Sequence, residues 1–264
     1  MQPTRNLWRW LAVVFVLSFA ALGWLGREIY LAAPPIPTVK TEAGATLFTK
    51  EQVQDGQRAW LAAGGQQLGT VWGHGSYVAP DWSADWLHRE ALALREIFSH
   101  RLYRTGFATI SAHHQASVDA LVKAEMRRNT YDAATDTLVV GADRAAAIAQ
   151  VQAHYTGLFG KEASLDKLRE QYAMMPDALP RAEDRHALAG FFFWSAWSAA
   201  TDRPGEDGLS YTSNWPHEPI VGNTLPGSAA IWSIVSIVLL IAGIAGMLWL
   251  HSRNHEPADP EAPP

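Results

Sequence analysis

The chain carries few residues in the spacings that catalysis or metal binding usually requires. It has no cysteine, which excludes a disulfide framework, a thiolate metal site and a covalently attached haem c. The adjacent pair His113–His114 would point its rings about 100° apart on a helix, and there is no H-E-x-x-H motif. Gly73–Tyr77 lacks the G-x-S-x-G spacing of a serine nucleophile. We therefore predict no catalytic residue in this chain.

One segment does combine residue types that could hold a ligand. Residues 64–82 read GGQQLGTVWGHGSYVAPDW, and we call them the glycine segment. Glycine lets the backbone turn sharply, which can bring carbonyl oxygens close to a ligand. Carbonyl oxygens that converge with a tyrosine could coordinate a hard cation such as calcium. The alternative is a glycine-rich connector in which Trp72 and Tyr77 fill the core.

A second aromatic cluster, YTSNWPHEP, spans Tyr211–Pro219 and precedes a long apolar block. We predict that Trp215, His217 and Glu218 contact a membrane partner, because aromatic residues with flanking polar groups are common at interfaces. The alternative is that Trp215 and the neighbouring prolines only fix the loop.

Two apolar blocks without charged residues lie near the ends of the chain, Trp10–Gly26 and Ala229–Leu250. A bilayer core needs about 20 apolar residues in a helix. We predict membrane helices over residues 7–27 and 224–250, a short tail at 1–6 and a disordered tail at 251–264. A cleaved signal peptide is the alternative for the first block.

Charge sets the expected orientation and excludes one class of partner. Arg5, Arg9 and Arg253 flank the two blocks and favour cytoplasmic tails. Residues 28–223, here called the central domain, would then lie in the periplasm, with both helices in the inner (cytoplasmic) membrane. The net charge of -5 argues against nucleic-acid binding. Neither block contains His, Asp or Glu, so both are expected to be lipid-embedded anchors.

The central domain is predicted to be mostly α-helical with one small hairpin. Ser83 is expected to cap the long helix ADWLHREALALREIFSHRL, whose apolar residues form one stripe. Alternating Thr, Tyr and Val around a polar turn predict a hairpin over residues 130–141. The remaining predicted elements are helices at 112–127, 143–155 and 182–200 and an ordered loop at 201–227.

Three sequence pieces together resemble the N-terminal region of the quinol-dependent nitric oxide reductases. They are GGQQLGTVWGHGSYVAPDWSADWLHRE, FFFWSAWSAATDRPG and YTSNWPHEPIVGN, in that order. The resemblance implies a membrane helix, a cytochrome-c-like domain outside the membrane and the first helix of a catalytic bundle. The expected partners are then that bundle, the lipid membrane and, through the bundle, a quinol.

The resemblance also implies that the domain has lost its haem. In the related haem c subunit, C-x-x-C-H precedes a stretch similar to Gly73–Asp81, and here that motif falls on Gly65–Gly69. Met175-Pro176 resembles the methionine-proline that supplies the distal haem ligand. We expect the cavity to be filled by neighbouring side chains and by parts of the last helix, since voids destabilise a core. The expected side chains are Trp60, Leu68, Trp72, Tyr172 and either Met174 or Met175.

The family's metal sites suggest what this chain would and would not contribute. By resemblance, Gly75 and Tyr77 contribute to a structural calcium at the interface with the bundle. Haem b, haem b3 and non-haem iron are ligated on later membrane helices, which this sequence does not include. We therefore expect a non-catalytic part of a reductase that converts NO to N2O, as a truncated product or a separately encoded half. The alternative function is a two-pass membrane sensor or scaffold with a periplasmic ligand-binding domain.

Overall fold

The structure is a computed structural model that describes residues 3–206 and 208–254. The chain divides into two compact units, Met1–Thr224 and Leu225–Pro264. The first unit contains helices α1 (Pro3–Leu31), α2 (Lys50–Ala62), α3 (Trp82–Tyr103), α4 (Ala112–Arg127), α5 (Ala142–Leu158), α6 (Asp166–Gln171) and α7 (Ala182–Ala200), and strands β1 (Thr38–Thr41), β2 (Thr46–Phe48), β3 (Tyr131–Asp132) and β4 (Thr137–Val140). The second unit contains helix α8, Gly227–Asn254. The mostly helical fold class is therefore confirmed.

The predicted hairpin is part of a larger sheet. Strands β3 and β4 pair antiparallel within residues 130–141, as expected. Strand β4 also pairs in parallel with β1, and β1 pairs antiparallel with β2, which gives the order β2-β1-β4-β3. Strands β1 and β2 were not predicted from the sequence. The sheet joins the residues that follow α1 to the middle of the chain.

Most predicted helices of the central domain are present, with one correction at a helix start. Helices α4 and α7 match the predictions at 112–127 and 182–200, and α5 contains the prediction at 143–155. The prediction that Ser83 caps the long helix is wrong. The N-cap of α3 is Asp81, whose side chain accepts a hydrogen bond from the Ala84 amide at 3.0 Å. Ser83 lies in the first turn, where its hydroxyl accepts the Trp72 amide proton at 3.1 Å.

Helix α7 forms the centre of the domain. Between Ala187 and Ala200 every residue except Trp194 is buried, because the helix is apolar on all sides. It packs against α2, α3 and α5. The approach of α2 is close: a Cβ on Gly56 would lie 2.1 Å from the Ala187 carbonyl oxygen. Glycine at this position is what allows the two backbones to meet.

A buried ion pair joins α3 to α5. Glu90 and Arg144 have relative side-chain exposures of 0% and 2%, and Arg144 Nε donates to Glu90 Oε1 at 2.8 Å. The other carboxylate oxygen accepts the Trp86 indole proton at 2.9 Å. Removing one partner from such a pair leaves an uncompensated charge, which commonly costs about 3–5 kcal/mol. The pair therefore fixes the register of the two helices.

Two helices are long and apolar enough to cross a membrane, spanning Asn6–Leu31 and Gly227–Arg253 within the described part of the chain. None of the most apolar stretch in either helix is buried by the protein. Since all backbone groups of a helix bond internally, such segments suit a bilayer, and the pair fits a two-pass membrane protein. Residues 251–254 continue α8, so the predicted disordered tail is wrong there, and 255–264 lie outside the described residues.

Candidate functional site

A single buried carboxylate organises the glycine segment. Asp81 Oδ2 accepts hydrogen bonds from Thr70 Oγ1 and from the Gly73 amide, both at 2.7 Å. Its other oxygen caps α3. Charge-assisted bonds of this kind are stronger than neutral ones, so Asp81 fixes the loop and the helix start together. This role of Asp81 was not predicted, although an Asp before a helical apolar stripe is an N-cap signal.

Gly75 occupies a position that requires glycine. Its φ is +85°, a left-handed conformation that side chains disfavour. A Cβ there would also lie 3.1 Å from the Ala79 carbonyl oxygen. The Gly75 amide donates to Thr70 Oγ1 at 2.8 Å, so the same threonine bonds both Asp81 and Gly75.

Tyr77 stands at the tip of a closed turn. The Ser76 amide donates to the Ala79 carbonyl at 3.0 Å, and the Ala79 amide donates to Ser76 Oγ at 3.2 Å. These bonds fix both ends of the turn, and the Tyr77 side chain between them is fully exposed. Among the described residues, no group of three or more His, Cys, Asp or Glu side chains could hold a metal ion. Gly75 and Tyr77 could thus offer only part of a calcium shell, which takes 6–8 oxygen ligands.

The two aromatic clusters of the sequence contact each other. We call residues 208–224 the tryptophan loop. Its Trp215 indole donates to the Gly73 carbonyl at 3.2 Å, and the His74 ring lies edge-on to the Trp215 ring with centroids 4.9 Å apart. The glycine segment and the tryptophan loop therefore form one surface, which presents Tyr77.

Two buried asparagines hold the tryptophan loop in shape. Asn223 donates to the Ala199 and Pro216 carbonyls at 2.9 and 2.8 Å and accepts the Glu218 amide proton at 2.7 Å. Asn214 accepts the Ser210 amide proton at 2.9 Å and donates to the Thr224 carbonyl at 2.7 Å. A loop lacks the regular backbone hydrogen bonds of a helix or sheet. Here the asparagine side chains bond the buried backbone groups of the loop in their place.

The three predicted partner-interface residues have different environments. Glu218 is buried, and its carboxylate contacts His88 Nδ1 at 3.0 Å and accepts the Ile220 amide proton at 3.1 Å. His217 is exposed and donates from Nδ1 to the Asn223 carbonyl at 3.0 Å. Trp215 is half-buried. Glu218 thus joins the tryptophan loop to α3, while His217 and the outer edge of Trp215 face solvent.

The segment that we interpret as replacing a haem motif leaves no room for a side chain at Gly69. By the resemblance, Gly69 takes the place of the histidine in that motif, and a Cβ there would lie 2.3 Å from Trp82 Nε1. The Gly69 carbonyl instead accepts the Trp60 indole proton at 3.0 Å. Met175 is 75% exposed, whereas Met174 is buried. Leu68 and Met175 line one surface cavity of about 390 Å³, so the chain does bring these two segments together.

Aromatic rings beyond those expected fill the core beside this segment. Trp82 stacks on Phe192 with centroids 5.5 Å apart, and Trp86 stacks on Tyr155 at 5.3 Å. Of the expected fillers, Trp60 and Met174 are buried, and Leu68, Trp72 and Tyr172 are half-buried. The central positions belong to Trp82 and Trp86, each with a relative exposure of 0%. Such ring pairs add about 0.5–1.5 kcal/mol each beyond the area that they bury.

A polar cluster borders this aromatic core. The Tyr155 hydroxyl donates to Asp85 Oδ2 at 2.6 Å, and Arg89 Nε donates to the same oxygen at 2.7 Å. Burial, followed by the charge of Asp85, raises the pKa of Tyr155 well above its usual value. Nearby, burial and then the positive charge of Arg89 lower the pKa of His154 to about 4. His154 is therefore neutral at physiological pH.

A comparison with protein families identifies the domain. Residues 37–217 match the model for the cytochrome c-like domain of the nitric oxide reductase B-subunit. No curated protein matches the chain at a significant level. The match begins next to β1 and ends within the tryptophan loop, so it covers the sheet, the helices α2 to α7 and the surface around Tyr77. On this evidence the chain belongs to the family defined by that domain, the cytochrome c-like domain of the nitric oxide reductase B-subunit.

Proposed function

We propose that this chain is a non-catalytic, N-terminal part of a quinol-oxidising nitric oxide reductase. The observation that carries the proposal is the family match over residues 37–217, in a domain bracketed by two unburied apolar helices. The three sequence pieces that resemble the quinol-dependent enzymes support quinol as the electron source. The redox chemistry that turns NO into N2O would belong to haem b, haem b3 and non-haem iron in a partner portion.

The role of the central domain in this proposal is to cap the catalytic membrane bundle on the periplasmic side of the inner membrane. The surface formed by the glycine segment and the tryptophan loop supports this role. Tyr77 lies on a turn whose ends are hydrogen-bonded, so little conformational entropy remains to be lost on docking. Tyrosine is enriched among the residues that carry most of the binding energy at interfaces.

A calcium ion shared with the bundle would fit the same surface. Calcium takes hard oxygen ligands, and the Gly75 carbonyl and the Tyr77 hydroxyl are of that type. The described residues supply no complete shell, so the other ligands would come from the bundle. Bound there, calcium would contribute charge and rigidity to the interface, while this chain contributes the fixed turn.

Co-purification tests the proposal. The tagged full chain is co-expressed with a candidate haem-b-containing membrane partner and purified in detergent, with and without a calcium chelator. We expect a complex with Soret absorbance that consumes NO when supplied with a quinol, and weaker association in the chelator. The chain purified alone should show no Soret band. A covalent haem on this chain, or failure to retain any haem-containing partner, would refute the proposal.

A further inference from the structure

An apolar cavity of about 210 Å³ lies inside the first unit, behind the glycine segment. It is formed by α2, by Val71 and Trp72 of the glycine segment, by α7 and by Ile36. Ile36 follows the end of α1 at Leu31 by five residues. The possible metal contacts Gly75 and Tyr77 and the polar partner contacts His217 and Glu218 do not line this cavity. It is therefore separate from the surface around Tyr77.

Aromatic rings form a continuous wall of the cavity. The Trp60 and Phe191 rings have centroids 5.9 Å apart, and Phe191 stacks on Trp194 at 5.8 Å with an interplanar angle of 23°. Trp194 contacts Trp72 at 5.1 Å. All four rings therefore line the same cavity. Aromatic rings pack favourably against another ring through face and edge contacts, so this wall suits an aromatic ligand.

The three indole groups are fixed by hydrogen bonds to carbonyl oxygens of the protein. Trp60 Nε1 donates to the Gly69 carbonyl at 3.0 Å, Trp72 Nε1 to the Ser195 carbonyl at 2.8 Å, and Trp194 Nε1 to the Pro35 carbonyl at 2.8 Å. Each indole has one donor, and each donor is used. The rings thus cannot turn a polar edge inward without breaking a bond, so their contribution to the cavity is apolar.

Trp72 is held in an unusual backbone conformation to complete this wall. Its φ is +54°, which is uncommon for a bulky residue. Two bonds maintain it: the Trp72 amide donates to Ser83 Oγ at 3.1 Å and its indole donates to Ser195. Strain of this kind persists only where the surrounding structure enforces it, and it is frequent at ligand clamps. Its effect here is to place an indole ring beside the cavity.

The open side of the cavity carries two amides. Gln54 and Gln57 from α2 line it, and both are exposed. A glutamine amide can donate and accept hydrogen bonds, so either residue could bond a hydroxyl or a carbonyl oxygen. The site therefore combines an apolar interior with a polar edge, the usual pattern of a small-molecule pocket.

We propose that this cavity binds a flat ligand of one or two fused apolar rings with a hydroxyl or carbonyl oxygen at one edge. Its size sets the limit: an engineered apolar cavity of about 150 Å³ binds benzene, and this one is larger by less than half. A porphyrin is too large for it. The ring could come from the aqueous phase or from a membrane-dissolved amphiphile.

Equilibrium dialysis of the full chain in lipid nanodiscs, with empty nanodiscs as the blank, tests the ring chemistry. The probe is 2-naphthol, and the comparison ligands are 2-methylnaphthalene, which lacks the oxygen, and 1-octanol, which lacks the rings. We expect 2-naphthol to bind at one saturable site per chain and 1-octanol not to displace it. Equal binding of 1-octanol, or no saturable binding of 2-naphthol, would overturn the proposal.

Variants then locate the site. Val71→Phe fills the cavity and should weaken 2-naphthol binding at least tenfold. The exposed pair Gln54→Leu and Gln57→Leu should leave the fold intact and reduce the preference for 2-naphthol over 2-methylnaphthalene about fivefold, since one neutral hydrogen bond is lost. The exposed Gln66→Leu, which does not line the cavity, is the matched control. Unchanged binding in both Val71→Phe and the glutamine pair would exclude this cavity as the site.

A final arm identifies the source of the ligand. A 2-naphthol that carries a long alkyl chain at carbon 6 stays in the lipid of the nanodisc. Displacement of free 2-naphthol by this compound would show that the cavity is reached from the membrane. Failure to displace it, with 2-naphthol still bound, would assign the site to a ring dissolved in water. Each result supports a ring site and assigns a different source.

Discussion

At the scale of single residues, Asp81 is the position on which the glycine segment most depends. Asp81→Ala removes the acceptor for Thr70, Gly73 and the start of α3. We expect a loss of about 2–3 kcal/mol in the free energy of unfolding, since an N-cap alone contributes about 1 kcal/mol and buried amides lose their partner. Urea unfolding followed by tryptophan fluorescence measures it. Asp55→Ala, at an exposed site on α2, should cost little, and a similar loss in both variants would contradict this role.

The lowered pKa of His154 predicts that the stability of the fold depends on pH. Its pKa is about 4 in the folded protein, below the ordinary value of 6.5, so the unfolded chain takes up the proton first. Folding stability should therefore fall as the pH drops from about 6.5 to 4 and the contribution should then level off. His154→Gln should flatten this part of the profile, as measured by thermal unfolding at several pH values. The exposed His100→Gln is the control, and an unchanged slope in His154→Gln would be evidence against the effect.

At the scale of elements, the contact between α2 and α7 depends on the missing side chain of Gly56. In an isolated helix alanine is favoured over glycine by about 1 kcal/mol. Here the added Cβ would lie 2.1 Å from the Ala187 carbonyl oxygen, so the helices must separate. We expect Gly56→Ala to destabilise the domain by about 1–3 kcal/mol, as overpacking does. Chemical denaturation measures it, and a stabilised variant would show that the helices are not in this contact.

The sequence predicts elements better than it predicts how they join. Helices α4, α5 and α7 could be located because periodic apolar residues and, in α5, a run of alanines are local signals. The pairing of β1 with β4 and the Glu90–Arg144 bond leave no such signal, because their partners lie far apart in the chain. The start of α3 was missed for a different reason: Asp81 and Ser83 are both good caps, and only the loop geometry selects between them.

For the candidate site, too, the sequence predicted the separate segments but not the contacts between them. The composition of the glycine segment and of the tryptophan loop could be recognised from the sequence. Their contact through Trp215 and the Gly73 carbonyl could not, nor could the burial of Glu218. Trp86 was assigned to the apolar stripe of the long helix and Trp82 to the glycine segment, although both occupy the core beside the segment that resembles a haem motif.

At the scale of the whole molecule, the exposed tip of the glycine segment predicts which surface binds the partner. Tyr77→Ala should leave the unfolding free energy unchanged, because the side chain is fully exposed. It should lower retention of a haem-b-containing partner in co-purification at least tenfold if the side chain is an anchor residue. Leu102→Ala, at a partly exposed site on α3, is the control. Equal retention of the partner by wild type and Tyr77→Ala would exclude this turn from the interface.

The parallel pairing of β1 with β4 has a consequence for biosynthesis. Thr38 pairs with Thr137, so roughly a hundred further residues must leave the ribosome before β1 finds this neighbour, which takes about 5–20 s at ordinary translation rates. Until then the stretch that follows α1 has unpaired amides and can be captured by chaperones or by other extended chains. Slowed elongation between these codons should therefore lower the yield of folded protein more than the same delay placed after codon 140.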